Sequence, residues 1–276
     1  MNPHFLQSAA WQSFQEALGR KVYRQKGIDW EFMAILEPGT RLSPSRLYCP
    51  YGPTVSSIKG LKSALKALTE LATSLGVKFV RVEPLGVKFN AKDFRLKRVN
   101  YSQPAHTWQI DLNRSSDEII SQMKQNNRNI YRNYRKKGLS YRSSNNPNDC
   151  KYLIKLLHGV ADHNNITIHS DKYLQTQADV LLPINSAKLH FISLESKVIA
   201  AALTYEDEKT CYYAHAGASH EYRKLSASTA LLAEIIINAK KDGKLVCDLY
   251  GITTSQDKNH RWAGFTRFKK SFGGYE

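Results

Sequence analysis

The last third of the chain carries the pattern that most restricts its fold. Three strand-like runs, a strongly apolar helical segment and a further strand-like run follow one another there: 189–194, 198–205, 211–216, 226–241 and 245–249. Runs of β-branched and aromatic residues bounded by turn residues are typical of strands, and a continuous apolar helix needs a sheet to pack against. The segment therefore predicts a sheet covered by a helix, a layered α/β arrangement.

The N-terminal part alternates between helix and strand in the same way. Residues 56–75 place leucines and an isoleucine at three- and four-residue steps, which predicts an amphipathic helix. Residues 78–83 then alternate as a strand does, and 31–36 and 46–49 are shorter strand candidates.

A second such region begins near Thr107. Residues 108–112 alternate as a strand, and a capping box at 115–118 opens a long helix that we expect to end at Gly138. Two more helical patterns precede the strands of the last third: 147–164 and 171–182.

The order strand, helix, helix, three antiparallel-like strands, helix, strand is that of the GNAT acyltransferase fold. We therefore predict an α/β (α+β) protein of two GNAT-like domains, residues 1–104 and 105–276, with mixed sheets flanked by helices. Such an analogy concerns the fold and does not assign an activity.

Charge is the unusual feature of the composition. Forty Lys and Arg side chains against 24 Asp and Glu give a formal net charge of +16. Such an excess indicates a polyanionic partner, such as nucleic acid, an anionic membrane or a phosphorylated substrate. A genome that uses lysine codons freely is the other explanation, but the basic residues of this chain are clustered.

Cysteine spacing and hydropathy indicate the compartment. The four cysteines are far apart in the sequence: Cys49, Cys150, Cys211 and Cys247. This spacing argues against a zinc site or a disulfide framework and fits a reducing compartment. The first residues lack the basic start and apolar core of a signal peptide, and the longest apolar stretch, 198–203, is too short to span a bilayer. We expect a cytoplasmic monomer and leave peripheral membrane association open.

The helix that opens at the capping box has two faces. Apolar residues share the predicted buried side: Ile120, Met123, Ile130 and Tyr134. Cations recur at four-, four- and three-residue steps on another face: Lys124, Arg128, Arg132 and Arg135. Such a stripe suits RNA phosphates, although a charge run of this kind is more often a solvated helix face.

Aromatic and cationic residues also alternate near the C-terminus, between Gly264 and Gly274. This interleaving combines base stacking with phosphate contacts. We predict an extended strand here, in which Lys269 and Lys270 point to opposite faces, so that only one of them faces an active site.

The pattern argues against coenzyme A as the acyl donor. A GNAT enzyme that uses acyl-CoA holds the pyrophosphate on a Gly-rich loop before a helix. The corresponding connection, 219–227, contains no glycine. The chain also lacks the Gly-x-Ser-x-Gly, Walker and His-Glu-x-x-His motifs.

Short segments spread over nearly the whole chain suggest a family. They are Leu6-Gln7-Ser8 with Trp11, residues 48–53, Gln103-Pro104 with 110–112, and 213–219, 223–225, 248–252 and 264–274. In this order they resemble the Fem aminoacyltransferases, which build peptidoglycan cross-bridges and have two GNAT-like domains. The chain lacks the long coiled-coil insertion of some relatives and is similar to the compact form.

The resemblance implies catalytic and tRNA-binding residues. Phe268 and Lys269 match the family's Phe-Lys pair beside the transferring ester, so both are expected to be catalytic. The cations expected to contact tRNA are Lys124, Arg128, Arg132, Arg135, Arg267 and Lys270.

The resemblance also implies an acceptor site. Tyr173 matches a tyrosine that binds the nucleotide-phosphate part of the acceptor, and His215 replaces a frequent tyrosine. His169 stands where a relative has an arginine, and Gln15 stands where one has a lysine. We expect Tyr173 and His169 to line a cleft between the domains, with Gln15 facing them from the first domain. Without the two cations, this site should recognise phosphate less strongly than the sites of relatives that have them.

The implied reaction is aminolysis of an aminoacyl-tRNA ester by the side-chain amine of the stem peptide's third residue. The acceptor is UDP-MurNAc-pentapeptide or its lipid-linked successor, lipid II. An ester is already activated, so we expect no cofactor and no metal. Orientation of the amine and stabilisation of the oxyanion would suffice.

Two other hypotheses remain open. The first is an N-acyltransferase with an acyl-CoA or carrier-protein donor, which would bind coenzyme A. The second is a non-catalytic RNA-binding module, which would bind tRNA without preferring the aminoacylated form.

Overall fold

A computed structural model describes residues 3–40, 44–164 and 166–276 of the chain. By its internal contacts the chain divides into two compact units, Met1–Gln103 and Pro104–Glu276. Among the described residues, no helix is long and apolar enough to cross a membrane.

The first unit is a five-stranded mixed sheet with two helices. The strands are β1 (Lys21–Lys26), β2 (Trp30–Glu37), β3 (Arg46–Cys49), β4 (Thr54–Val55) and β5 (Phe79–Val82), and the helices are α1 (Ala9–Ala17) and α2 (Ile58–Ser74). The order is β1-β2-β3-β5 with β4 beside β2, and among the described strands of this first sheet only β3 and β5 pair in parallel. The Ser57 hydroxyl caps α2 by accepting from the Gly60 amide, and Leu61 and Leu68 bury its apolar side.

The second unit is built on a six-stranded mixed sheet. Its strands are β6 (Thr107–Asp111), β7 (Leu139–Ser144), β8 (Ala187–Leu194), β9 (Lys197–Glu206), β10 (Thr210–Ala218) and β11 (Val246–Gly251). The order is β6-β11-β10-β9-β8-β7, in which β10 and β11 run parallel and the other pairs are antiparallel. The predicted fold class, mixed sheets flanked by helices, is therefore confirmed.

Helices cover this second sheet. They are α3 (Ser116–Gln122), α4 (Gln125–Asn133), α5 (Cys150–Asn164), α6 (Asp171–Leu181), α7 (Ala227–Lys241) and α8 (Ala263–Lys270). Helix α7 is apolar on nearly all sides and packs in the core with Ile192 and Ala200 of the sheet. A helix that is apolar all round is stable only when it is buried, as α7 is.

The single long helix predicted after the capping box is wrong, because the chain forms α3 and α4 instead. Met123 and Lys124 are extended between them, with ψ of 148° and 146°. The Arg128 guanidinium donates to the carbonyls of Ser121 and Met123, and the Lys124 amide donates to the Ser271 carbonyl at 2.8 Å. These bonds satisfy backbone groups that a helix break would otherwise leave without partners.

The extended strand predicted near the C-terminus is also wrong, because residues Ala263–Lys270 form helix α8. Phe268 and Phe272 are four residues apart and meet with ring centroids at 5.2 Å, and Phe272 is fully buried. The contact between these two rings at helical spacing, with Phe272 in the core, outweighs the alternation of cations and aromatics in the sequence. Strands β1, β4 and β7 and helix α1 were not predicted.

A buried histidine links three strands of the second sheet. His190 Nδ1 lies 2.9 Å from the Tyr141 hydroxyl, and its Nε2 lies 3.0 Å from Oγ1 of Thr204. The Thr204 hydroxyl donates to Glu206, so it accepts from an Nε2–H of the neutral ring. Burial, with a smaller contribution from the charge of Lys188, lowers the pKa of His190 to about 3.

This pKa predicts a loss of stability in acid. The unfolded histidine takes up a proton below about pH 6.5, whereas the folded one stays neutral until about pH 3, so protonation favours unfolding as pH falls. Between about pH 6 and 4, the unfolding free energy of wild type should fall by up to about 1.4 kcal/mol per pH unit more than that of His190→Gln. Urea denaturation at each pH measures both slopes.

His158→Gln is the matched control, because this histidine is exposed on α5. It should keep the wild-type slope. If His190→Gln shows the wild-type slope as well, the buried ring does not cause the acid sensitivity.

Candidate active site

Lys269 lies near the C-terminal end of α8 and is partly buried. Its Nζ donates to the carbonyl of Gly251, the last residue of β11, at 2.7 Å. Burial lowers the pKa of Lys269 to about 8, and the negative charge of Asp248 acts in the opposite direction. An ammonium in this setting is charged at neutral pH and is a strong hydrogen-bond donor.

Asp248 is the buried anion of this region. It lies in the middle of β11 and accepts hydrogen bonds from the Thr107 hydroxyl at 3.0 Å, the Gln109 amide at 3.1 Å and the Tyr250 backbone at 2.7 Å. Burial raises the pKa of Asp248, while these three bonds and the charge of Lys269 lower it. Buried carboxylates need such partners to stay ionised.

The backbone of β11 changes direction just after Asp248. The pairing with β6 shifts register between Asp248 and Gly251, and Tyr250 has a positive φ of 63°. A bulge of this kind re-aims the residues that follow it. Gly251 ends this irregular stretch, and its carbonyl accepts the hydrogen bond from Lys269.

A cavity of ≈ 200 Å³ adjoins Lys269. Its lining residues are Pro104, Gly251, Trp262, Phe265 and Lys269. A Cβ atom at Gly251 would lie 2.7 Å from Cγ of Pro104 and 3.2 Å from Cζ3 of Trp262, so only glycine fits between these two rings. Phe268 turns away from the cavity and packs against the core beside Phe272.

Three of the residues assigned to the acceptor site lie together in the second unit. The rings of His169 and Tyr173 stack at 4.2 Å with 15° between their planes, and His215 meets His169 edge-on at 5.5 Å. His215 Nε2 also lies 3.1 Å from the Tyr205 hydroxyl. We refer to His169, Tyr173 and His215 as the aromatic cluster.

Burial keeps His215 neutral. It lowers the pKa of His215 to about 3, and the neighbouring His169 adds to this effect. The Tyr205 hydroxyl accepts from Nε2 of Gln177 at 2.8 Å, whereas Oε1 of this fully buried glutamine has no partner among the described residues. The aromatic cluster therefore presents flat rings, and the buried Oε1 of Gln177 beside Tyr205 is available as an acceptor. His169 stands where the family resemblance implies an arginine.

Gln15 lies in the first unit and is buried on α1. Its Oε1 accepts a hydrogen bond from the Arg20 guanidinium at 2.7 Å. Gln15 stands where the family resemblance implies a lysine. Arg20, five residues downstream, brings a positive charge next to this position. Spacing alone did not reveal Arg20, because the residues between them end the helix and turn.

Two cations of the predicted RNA-binding stripe have structural partners. Arg128 caps the end of α3, and Arg135 pairs with the buried Glu234 of α7 at 2.9 Å. The Tyr134 hydroxyl and the Asn238 amide donate to the same carboxylate. Arg132 is exposed.

The other predicted RNA-binding cations converge. Lys124, Arg267 and Lys270 line a second cavity of ≈ 440 Å³, and Lys258 joins them. The remaining lining residues are Thr253, Thr254, Ser255, Gln256, Asp257, Ala263 and Thr266. With four cations, one carboxylate and several hydroxyls, this basic cavity suits a phosphate group.

Sequence reasoning missed Asp248, Trp262 and Lys258 as members of a site. Asp248 stood inside a segment of the family resemblance, but its burial followed only from the sheet order. No group of three or more His, Cys, Asp or Glu side chains in the described parts of the chain is arranged to hold a metal ion.

The attraction between Asp248 and Lys269 can be measured directly. Asp248→Asn removes the charge that favours the ammonium, so the pKa of Lys269 should fall below about 8. The NMR titration of ¹³C-dimethylated lysines measures the change. Asp257→Asn, in the basic cavity, is the control and should leave the Lys269 titration where it is. A Lys269 pKa unchanged in Asp248→Asn would show that burial alone sets it.

Comparison with known proteins finds one family model that is similar to part of the chain. Residues 185–275 match the model of the FemAB family, a segment that contains His215, Asp248 and Lys269. Among curated protein sequences no significant match is found.

Solved structures share the fold over almost the whole chain. The crystal structure of FemX superimposes with a TM-score of 0.84 at 16% identity, covering 99% of this chain and 89% of FemX. The C-terminal domain (DUF2156) of a protein described as a lysylphosphatidylglycerol synthetase from Agrobacterium fabrum gives 0.65 at 14% identity, over 98% and 86% of the two chains. L-PGS from Bacillus licheniformis gives 0.61 at 13% identity, over 98% and 87%.

The family model covers the segment that carries Lys269, and the FemX fold extends over nearly all of the chain. The resemblance inferred from the sequence is therefore confirmed for residues 185–275, which are similar to the FemAB family, and the chain as a whole shares the fold of FemX.

Proposed function

We propose that this protein is an aminoacyltransferase that moves an amino acid from aminoacyl-tRNA to the stem-peptide amine of a peptidoglycan precursor. The match of residues 185–275 to the FemAB family, together with the FemX fold, supports a transferase of peptidoglycan synthesis. The observation that carries the finer proposal is the partly buried Lys269 ammonium, which lies beside a small cavity and matches the family's lysine.

The reaction needs a nucleophile, a leaving group and a charged donor. The neutral amine of the acceptor attacks the ester carbonyl, a C–N bond forms, and the carbonyl oxygen becomes an oxyanion. The intermediate collapses by breaking the C–O bond, and the ribose oxygen takes the proton that the amine loses. No oxidant or reductant takes part.

Lys269 is suited to hold the oxyanion. Its ammonium donates to Gly251 and retains further hydrogens for a second acceptor. Partial burial makes such a bond stronger than in water, since the surrounding dielectric constant is lower. Because the pKa is about 8, this donor is charged at neutral pH and loses its charge above that value.

Replacement of Lys269 tests this role. Lys269→Ala should lower kcat by roughly a hundredfold or more, the scale observed when one oxyanion donor is removed. In single-turnover transfer, the wild-type rate should decline above about pH 8, whereas Lys269→Arg, which stays charged, should lack this alkaline decline.

Lys270→Ala is the neighbouring control for the chemical step. The Lys270 side chain is exposed and lies over the Trp108 ring at 4.8 Å, so its loss should change kcat far less. Equal and near-wild-type rates for both alanine variants would remove Lys269 from the mechanism.

The basic cavity supports an RNA donor. Phosphate contacts release counterions, so RNA affinity should fall steeply with salt. The double variant Arg267→Ala/Lys270→Ala should reduce the slope of log affinity against log salt by about 1.4 to 1.8, which is the loss of two phosphate contacts. Filter binding of an aminoacyl-tRNA analogue over a range of salt concentrations measures the slope.

Lys151→Ala/Lys155→Ala is the matched control, with the same loss of charge at two exposed positions of α5. This control should keep the wild-type slope. If both double variants give equal slopes, net charge rather than the basic cavity attracts the RNA.

The aromatic cluster supports an acceptor site with weak phosphate recognition. His169→Arg restores a permanent cation beside Tyr173, so KM for UDP-MurNAc-pentapeptide should fall by about tenfold, the scale of one charge-assisted hydrogen bond. Steady-state kinetics with an acceptor peptide that lacks the nucleotide is the control. That KM should not change, and a fall in both would mean that the arginine acts on something other than phosphate.

Mass spectrometry of the products decides between this proposal and its alternatives. Incubation of precursor peptides with mixed charged tRNAs should give a mass increase of one amino acid or more. Phosphatidylglycerol vesicles belong in the same assay, because one similar structure is described as a lysylphosphatidylglycerol synthetase. Binding of coenzyme A would favour the acyl-CoA alternative, and equal binding of charged and uncharged tRNA without product would favour the RNA-binding module.

A further inference from the structure

Two exposed isoleucines lie close together on the first unit. Ile28 lies in the turn between β1 and β2 and is fully exposed, and Ile58 is the first residue of α2 and is 49% exposed. The Ser57 hydroxyl donates to the Asp29 carboxylate, and the Ser56 amide donates to the Asp29 carbonyl at 3.1 Å. These bonds join the residues that flank the isoleucines, so both apolar side chains lie at one corner of the unit.

The chemistry of turns does not account for Ile28. Tight turns favour Gly, Pro, Asn, Asp and Ser, and isoleucine is a residue that proteins usually bury. The turn is also fixed in place, because the Gly27 amide donates to the Trp30 carbonyl at 2.8 Å and Asp29 is bonded to the start of α2. Ile28 is therefore held outward in a position where a partner can meet it.

Cations accompany Ile58 at the start of α2. Lys59 and Lys62 are exposed, and Lys62 is four residues after Ile58, on the same face of the helix. The partial positive charge of a helix N-terminus favours acidic residues in the first turn, yet the first turn of α2 contains none. Lys59 opposes the helix dipole, so helix stability does not explain why a cation is placed there.

A second run of cations belongs to the same part of the unit. Segment 84–98 contains five Lys and Arg residues and one acid, Asp93. Its apolar residues Val87, Phe89 and Phe94 pack against the buried cluster that contains Leu61 of α2, which brings the segment to the side of this helix. Its five cations are exposed: Lys88, Lys92, Arg95, Lys97 and Arg98. We refer to these five residues, with Ile28, Ile58, Lys59 and Lys62, as the isoleucine corner.

The surface of an anionic lipid bilayer matches this combination. Aliphatic side chains enter the boundary of the acyl chains, while lysine and arginine reach the headgroup phosphates through their flexible stems. RNA offers phosphates as well, but its bases stack on aromatic rings and provide no apolar phase for an isoleucine. The net charge of +16 favours the approach to any negatively charged surface, and the exposed isoleucines favour the bilayer.

We propose that the isoleucine corner is a docking surface for an anionic phospholipid bilayer, into which Ile28 and Ile58 insert while the surrounding cations contact the headgroups. This inference goes beyond the proposed function and does not depend on it, because no residue of the candidate active site belongs to the corner.

Vesicle binding measures the docking in the absence of tRNA and acceptor. Vesicles of phosphatidylcholine and phosphatidylserine are used, since neither lipid is a candidate substrate. In sedimentation, the full chain should bind these vesicles and not pure phosphatidylcholine, and salt should weaken the binding. Ile28→Ser/Ile58→Ser should lower the affinity by about tenfold or more, because it removes two inserted apolar side chains. Lys59→Gln/Lys62→Gln should lower it by about 20-fold, since each cation near the surface contributes roughly fivefold.

The second unit supplies matched controls. Ile166→Ser/Ile184→Ser removes two isoleucines that are 43% and 54% exposed. Lys151→Gln/Lys155→Gln removes two exposed cations from α5. Both double variants should bind the vesicles as wild type does, because neither pair belongs to the isoleucine corner.

A fluorescent dye at position 28 detects insertion directly. The four native cysteines are buried, so an environment-sensitive NBD dye on Ile28→Cys labels a single site. Its emission should increase and shift to the blue on phosphatidylserine vesicles, and nitroxide groups on the acyl chains should quench it. The same dye on Ile184→Cys should show neither change.

The outcomes separate the bilayer from RNA and from chance exposure. Absence of vesicle binding by wild type, or wild-type affinity in Ile28→Ser/Ile58→Ser, overturns the inference. If that result is accompanied by weaker tRNA binding in Lys59→Gln/Lys62→Gln, the corner is an RNA surface instead. Neither result changes the transfer assay, so failure of this inference and failure of the proposed function are distinguishable.

Discussion

An ammonium group that loses part of its water must receive other partners, because burial of an ion costs several kcal/mol. Lys269 receives the Gly251 carbonyl and the charge of Asp248, and Asp248 is held by Thr107 and Gln109 in turn. These residues come from α8, β11 and β6. The interactions of Lys269 with Gly251 and Asp248 therefore hold α8 in its position on the sheet. The same position of α8 determines where Trp262 and Phe265 line the cavity.

The C-terminal glycines serve the same placement. After α8 the chain returns along β6, where the Tyr275 amide donates to the Gln109 carbonyl and Nε1 of Trp108 donates to the Gly273 carbonyl at 2.6 Å. Gly274 has a φ of 92°, and a Cβ atom there would lie 2.1 Å from the Gln109 carbonyl oxygen. The glycines that carry part of the family resemblance are thus required by backbone packing, and their effect on the site passes through the position of α8.

The predictable parts of the structure were those with one dominant period. Helices α2 and α7 and strands β8 to β10 follow directly from apolar periodicity, because burial decides each of them. The break after Met123 was not predictable, since distant groups, the Arg128 guanidinium and the Ser271 carbonyl, stabilise it. The alternation of cations and aromatics predicted a strand for residues 263–270, but the pairing of Phe268 with Phe272 decided in favour of a helix. For the site, the resemblance named Lys269, but the role of Asp248 depends on strand order, which no local pattern contains.

The site contains both the Asp248 carboxylate and the Lys269 ammonium, yet the ammonium keeps hydrogens for a further acceptor. The hydrogen bonds of Asp248 explain how this is possible. A carboxylate in direct contact with an ammonium would occupy the hydrogens that a developing oxyanion requires. Asp248 instead uses its oxygens for Thr107, Gln109 and the Tyr250 amide, so it acts on Lys269 through its charge. Burial strengthens each bond of the ammonium but lowers its pKa, and the anion limits that fall to about 8. A deeper lysine would lose its proton at neutral pH, and a more exposed one would be a weaker donor. The arrangement of β11 and α8 keeps Lys269 between these two limits.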